Sequence, residues 1–533
     1  MECQVTEAGP NQGGVVRADW GLAEPTGTVG LTAAAGLLYL SRAIRPHEAP
    51  SEPSNEVVLD RMRLAADYLA RVQRPSGRID LRDCNYDSAP DAAFAVQALC
   101  PLIELGRPIR ARSTAWDAVL RSVERFVRAA LVGMLDGGFH TPNHRWVMAA
   151  AMTWAGRLFP DVDVQSVVRA YLAEGFDLNE DGAYTEQSAG LYDGICDRSL
   201  MLLHQYGGNS EALQAACANL TLNLHLLHPD GTIETGASRR QDRGQRPIPA
   251  ALTLPYLMAY DVVQDSRFAE AADFLWARSQ GDAAGLTWYL LKRGDVEVSS
   301  GHAFPFDFAR MFPAAGLWRS RRGAISATAF RGQTNLFRLI YGRAELRGVR
   351  ISQSYFGAGR FVGDEMLPEG SGCLLRSNGG GVVHRPGYDF PMGRPVDPSR
   401  WFEIRSEREW RPLPPCVSEL SIAEADGGYD LTYRTLDGME GVTAQLALDF
   451  APGGVFETAD TCLEAQPGQV LFLKSGYAAM RYGHDLIEVG PGAHAHRMWA
   501  MRDAETAPEH VRVLLTFETP VQHRLRIRCR RVP

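Results

Sequence analysis

Asp136-Gly137-Gly138-Phe139-His140-Thr141-Pro142-Asn143-His144-Arg145-Trp146 runs from a glycine turn directly into the apolar positions Val147, Met148, Ala149, Ala150, Met152 and Ala155. Asp-Gly makes turns because both residues tolerate the backbone angles a turn demands. Apolar residues recurring near a 3.6-residue period make the following segment a buried helix. The unit repeats: Ser76-Gly77-Arg78-Ile79-Asp80, Asp181-Gly182-Ala183-Tyr184 and Pro229-Asp230-Gly231-Thr232 are loops of the same kind, spaced by roughly 50 residues. Around them lie helical patterns at 55–73, 87–105, 113–131, 143–158, 164–174, 188–206, 211–227, 250–260 and 267–278. Helical hairpins stacked with all such loops on one face form a solenoid or, if they curve round and close, an α/α toroid.

Near Arg319 the texture changes to short runs rich in Val, Ile, Phe, Tyr and Thr, bounded by Gly, Pro, Asn or Asp. Many short strands without intervening helices read as antiparallel sheets packed in a sandwich. The expected division is an N-terminal extension at 1–28, an incomplete toroid at 29–315 and an antiparallel β-sandwich at 316–533. Gly370 to Pro398, with His384 and Tyr388 inside it, is a long excursion from that sandwich, and long loops in compact domains are often functional.

Composition bounds the function. The 533 residues are 45% apolar and 22% charged with a net charge of -8, which argues against broad binding to nucleic acid or to an anionic membrane. Nine cysteines without a CxxC pair give neither a disulfide framework nor a zinc knuckle, so free thiols, no metal and no cofactor are expected. Met1 to Gly27 lacks the basic start and apolar core of a secretory signal, and the expectation is a cytoplasmic protein. Val29 to Leu40 is too short to span a bilayer and reads as a core helix. The sequence holds no Walker loop, GxSxG elbow or HExxH pair.

Candidate chemistry gathers on the inter-hairpin loops. Asn143 and His144 occupy the first turn of a helix, Tyr184, Glu186 and Tyr192 flank the start of another, and Ser238-Arg239-Arg240-Gln241-Asp242 adds paired guanidinium groups. Each has a structural reading of its own, as a cap, a core aromatic or a solvated charge. Their coincidence on one class of loop favours a shared pocket for an anionic substrate.

A helical toroid followed by a sandwich, with Asn143-His144 at a helix start and Asp181-Gly182-Ala183-Tyr184-Thr185-Glu186-Gln187-Ser188 running on to Tyr192, resembles the heparinase II/III-like and alginate-lyase-like polysaccharide lyases. The resemblance implies β-elimination on a glycan containing uronic acid, with Asn143, His144, Tyr192 and Arg239 catalytic. Arg240, Tyr184, Glu186, Trp146, His302, His384 and Tyr388 are expected to bind substrate. That family's sandwich commonly opens with a strand bearing histidine and aspartate. Ala324 to Gly342 has no histidine, which leaves His302 or His384 as substitutes.

The residue types suit the chemistry. The C5 proton of a uronate leaves only when its carboxylate is neutralised and the developing enolate is held by donors, the task of Asn143 and Arg239 or Arg240. His144 and Tyr192 divide the roles of base and acid, or Tyr192 performs both once arginines lower its pKa. Trp146, Trp318 and Tyr388 are expected to offer flat faces to the sugar. The expected partner is a uronate-containing glycan, without nucleic acid or membrane, and homo-oligomerisation is left open. The alternatives are a hydrolase on the same scaffold, drawing on Asp80, Asp83, Asp181 or Glu186, and a non-catalytic carbohydrate-binding protein.

Overall fold

The computed structural model describes residues 2–138, 141–294, 305, 307–378, 384–386, 393–407, 410–502 and 504–533. Contacts divide the chain into a helical unit, Met1–His225 with Ser238–Phe304, and a strand unit, Leu226–Ala237 with Pro305–Pro533. The linear division expected from sequence places residues 226–237 among the helices. Contacts place them among the strands.

The helical unit contains α1 (Pro25–Ile44), α2 (Asn55–Val72), α3 (Ala89–Gly106), α4 (Thr114–Gly133), α5 (Pro142–Leu158), α6 (Gln165–Ala173), α7 (Tyr192–Gly207), α8 (Ser210–Leu226), α9 (Thr253–Val263), α10 (Ser266–Trp276) and α11 (Ala283–Arg293). Successive odd-numbered helices from α1 to α9 pack on one another, and α2, α4, α6 and α10 pack against them from outside. The helix sequences carry this two-layer order. Outer α4 buries one stripe, Trp116, Val119, Leu120, Val123, Phe126, Val127, Ala130 and Leu131, the spacing of a single apolar face. Inner α5 is buried almost all round, from Arg145 to Met152 without a break, as a helix enclosed by neighbours must be. α11 touches both α9 and α1, in the arrangement of an incomplete α/α toroid.

The Asp-Gly loops are one backbone motif used three times. In each, a first residue donates to the carbonyl four residues on, and the glycine amide donates back to it: Arg74 with Arg78 and Gly77, Asn179 with Ala183 and Gly182, and His228 with Thr232 and Gly231. The three glycines have φ of +87°, +88° and +91°, a region open to glycine and strained for other residues. Gly182 has a second reason, since a Cβ there would stand 2.6 Å from the Ala218 carbonyl oxygen on α8.

The strand unit is a β-sandwich. One sheet of eight strands runs Val470–Phe472, Val511–Glu518, Thr443–Phe450, Ala344–Gln353, Phe337–Tyr341, Ile325–Phe330, Leu317–Arg322 and Phe308–Phe312. The other, of nine, is built around Val417–Ala425, Gly428–Asp437 and Gln522–Arg531. Pairing is antiparallel except between Val470–Phe472 and Val511–Glu518. Alternating inward residues such as Leu446, Leu448, Val513, Leu515, Leu420, Ile422, Leu431 and Ile527 fill the core. Trp318 belongs to this core: it is 2% exposed, with its ring edge-on to Tyr429, so the expected sugar-facing role does not fit it.

Residues 226–237 are held to the strands by buried charge. Glu234 accepts from Thr328 Oγ1 at 2.7 Å and from Arg338 at 3.2 Å, and Arg338 also pairs with Glu345. Arg319, fully buried, reaches the Leu226 carbonyl at 3.3 Å, and Arg321 that of Leu227 at 3.2 Å. Burial alone would raise the Glu234 carboxyl, but the neighbouring Arg338 and Arg319 hold it below its ordinary value. Removing one partner of such a buried pair strands the other charge.

Candidate active site

The site is assembled within the helical unit from three loops. The first enters α5 through Pro142, whose fixed φ suits the opening turn of a helix. That turn puts Asn143 inward, completely buried, while His144 stays partly open. The second loop carries Glu186, buried, to meet it: the Asn143 amide donates to both carboxylate oxygens of Glu186, at 2.9 and 3.1 Å. The third loop closes the group. Arg240 lies 3.2 Å from Glu186, donates to the Tyr192 hydroxyl at 3.3 Å, and stands 4.6 Å above the Tyr192 ring. Gln241 donates to the same hydroxyl at 2.9 Å. Amide, carboxylate, guanidinium and phenol thus form one continuous chain of polar contacts.

Asp242 is the fastening. Its carboxylate, 4% exposed, accepts from Ser188 Oγ at 2.9 Å, from the Gly190 amide at 3.1 Å and from Ser238 Oγ, so the second and third loops share one anchor. The Arg239 amide adds a 3.0 Å bond to the Glu186 carbonyl. Tyr192 then opens α7, with its own amide bonded to the Ser188 carbonyl at 2.9 Å.

His144 is held below the ordinary imidazole range, first by burial and then by the positive charge of Arg240, with Asp91 pulling the other way. A neutral imidazole at neutral pH is able to accept a proton. Its ring is edge-on to Phe94, and it lines a pocket of about 240 Å³ together with Arg78, Cys84, the strand Asn85–Ser88 and Gly138.

Of the residues expected from sequence, Asn143, Glu186, Tyr192 and Arg240 come together, and His144 feels the charge of Arg240. Of the two arginines expected to share the task of neutralising the carboxylate, Arg239 is exposed, with no ion pair among the described residues, and Arg240 makes the contacts. Trp146 and Tyr184 do not offer a surface to a sugar. Trp146 is fully buried, stacked on Phe176 and bonded through its indole nitrogen to Asp177 at 3.0 Å. Tyr184 is interior and donates to Asp197 at 2.7 Å. His302 and Tyr388 lie outside the described residues, as does the side chain of His384. Gln241 and Asp242 were not assigned a role from sequence. Their only signal is position, beside the paired arginines. Among the described residues, no cluster of three His, Cys, Asp or Glu side chains could hold a metal.

No protein-family profile matches the sequence, and no curated protein matches it. Solved structures do resemble it. Heparinase III aligns with a TM-score of 0.52 at 10% identity, over 94% of this chain and 77% of its own. A Paenibacillus xanthan lyase aligns with a TM-score of 0.53 at 8% identity, over 99% of this chain and 55% of its own. A second heparinase III aligns at 0.50 and 11% identity, over 100% and 87%. The chain has the fold of the heparinase III and xanthan lyase group of polysaccharide lyases, an α/α toroid followed by an antiparallel β-sandwich.

Proposed function

We propose that the protein is a polysaccharide lyase that cleaves a uronate-containing glycan by β-elimination. The observation that carries this reading is the chain Asn143–Glu186–Arg240–Tyr192, with His144 electrically coupled to it. In the proposed step His144 takes the C5 proton, the C4–O4 bond breaks with its electrons on O4, and Tyr192 delivers a proton to that oxygen, leaving a C4–C5 double bond. The phenolic oxygen already accepts from Arg240 and Gln241, so both donors remain in place to hold it after the proton has gone. Arg239 and Arg240 face the uronate carboxylate. The Asn143 amide nitrogen donates to both oxygens of the Glu186 carboxylate, so Asn143 acts by fixing Glu186 against Arg240.

Hydrolysis needs a carboxylic acid kept protonated beside the scissile oxygen. Asp80 is unsuited, because its hydrogen bond from Arg74 holds it below the ordinary carboxyl range. Asp193 is raised to about 7 by burial but is enclosed with Asn219 and Asn223. The deciding experiment is incubation with a panel of uronate glycans, following ultraviolet absorbance and reducing ends together. Elimination raises both. Reducing ends without new absorbance would mean hydrolysis, and neither would mean a binding protein.

A further inference from the structure

We propose that the pocket beside His144 is a subsite for an uncharged, unsulfated sugar ring, with Tyr86 as its stacking surface. This rests on the lyase reading for the identity of the neighbouring residue, a uronate at Arg239, Arg240 and Tyr192. The pocket is formed by Arg78, Cys84, the strand Asn85–Ser88, the start of α3 at Ala89 and Pro90, and Gly138 and His144, so a ligand that fills it lies against the proposed catalytic imidazole. Its 240 Å³ is below the roughly 300 Å³ at which drug-sized sites begin, which is room for a single ring. Tyr86 is 78% exposed, an unusual position for a large aromatic at a pocket edge. The Arg74 guanidinium, 4.6 Å from its centroid, braces the ring.

The charge pattern selects the sugar. Arg78 is the cation that lines the pocket, and its charge is already met by two carboxylates: one nitrogen pairs with Asp136 at 2.6 Å and one with Asp87 at 3.4 Å, while the third donates to the Gly133 carbonyl at 2.6 Å. Packing enforces this, since a Cβ on Gly137 would stand 2.2 Å from the same guanidinium. Arg74 is spent on Asp80, and Arg82 does not line the pocket. Between residues 74 and 91 three arginines face Asp80, Asp83, Asp87 and Asp91, and Asp136 adds a further negative charge. A sulfate or carboxylate entering here would lose its water without gaining a free cation, an unfavourable exchange. Sugar hydroxyls, by contrast, can donate to the Asp87 carboxylate, which lines the pocket.

The test uses the full chain and matched oligosaccharides that differ only in sulfation of the sugar next to the uronate. The unsulfated partner should be cleaved with kcat/KM at least about tenfold higher, and Tyr86→Ala should raise KM about tenfold with kcat little changed, the loss of one stacking contact. Tyr86→Phe should retain the wild-type KM, which separates stacking from a folding defect. Asp87→Asn with Asp136→Asn should narrow the sulfated-to-unsulfated gap severalfold. Equal or faster cleavage of the sulfated partner, or an unchanged KM in Tyr86→Ala, overturns the proposal. If no glycan yields an unsaturated product, the lyase reading fails separately, and the subsite is judged by saturation-transfer NMR with N-acetylglucosamine and its sulfate ester. Binding of the neutral sugar alone, lost in Tyr86→Ala, would support it; no binding, or preference for the ester, would overturn it.

Discussion

Tyr192 is the residue on which the proposed chemistry turns, because its hydroxyl accepts from both Arg240 and Gln241. Tyr192→Phe removes that oxygen and no packing volume, so turnover on a cleaved glycan should fall by at least about a hundredfold while the melting temperature moves by only a few degrees. A fully active, destabilised variant would show that the phenol is structural. His144 makes a second forecast. Its pKa lies below the ordinary 6.5, so it stays neutral to lower pH than a free imidazole and the acid limb of kcat/KM should bend below that value. The linkage has a definite sign: as pH falls through the ordinary histidine range the unfolded chain binds the proton first, so stability is lost with acidification. His144→Gln should abolish both the acid limb and this part of the stability loss, measured by a pH–rate profile and by thermal melts at several pH values. The placing of Asn143 and His144 on the first turn of a helix was legible in sequence, whereas Tyr192 opens a helix that the periodicity starts at Ser188. The choice of Arg240 over Arg239 was not legible, since adjacent loop residues differ only in which way the turn at Ser238 and Asp242 sends them.

At the scale of the element, α7 carries the main electrostatic tension of the helical unit. Asp193 and Asp197 lie one turn apart on it, both buried, with Tyr184 bonded to one and Asn219 and Asn223 to the other. Burial raises Asp193 from 3.8 to about 7. Between those values the unfolded chain releases the proton while the folded chain keeps it, so stability falls as pH rises through that window and levels off above it. Asp193→Asn should flatten this slope, bringing the variant's melting temperature at pH 7 up relative to wild type by the equivalent of a few kcal/mol; an unchanged slope between pH 4 and pH 7 would show that Asp193 ionises freely. Helix periodicity identified the elements well, with α2 expected at 55–73 and found as Asn55–Val72. It placed the start of the seventh helix at Ser188, where Ser188 instead spends its hydroxyl on Asp242 and the helix opens at Tyr192. A tertiary hydrogen bond overrode the local pattern, as side-chain capping residues commonly do.

At the scale of the molecule, the order helices then strands was plain from the switch of hydrophobic period near Arg319. The sequence could not reveal that residues 226–237 leave the helices and join the strands, because their motif is the same turn as the other two and only its buried partners differ. Those partners impose an order on the making of the protein. Thr328 and Arg338, which neutralise and satisfy Glu234, lie 94 and 104 residues further along the chain. When the ribosome has released α8 and this segment, Glu234 has no arginine to meet it and only the nearby Gly236 amide as a hydrogen-bond partner, and the neighbouring arginine loop hangs from a segment that has no place to dock. Domains often mature one after another from the N-terminus. Here a segment of the second unit, residues 226–237, is made between two parts of the first and cannot be tied down until the strands have been synthesised, so a fragment ending near residue 304 would carry the proposed catalytic side chains yet lack the strands that hold residues 226–237.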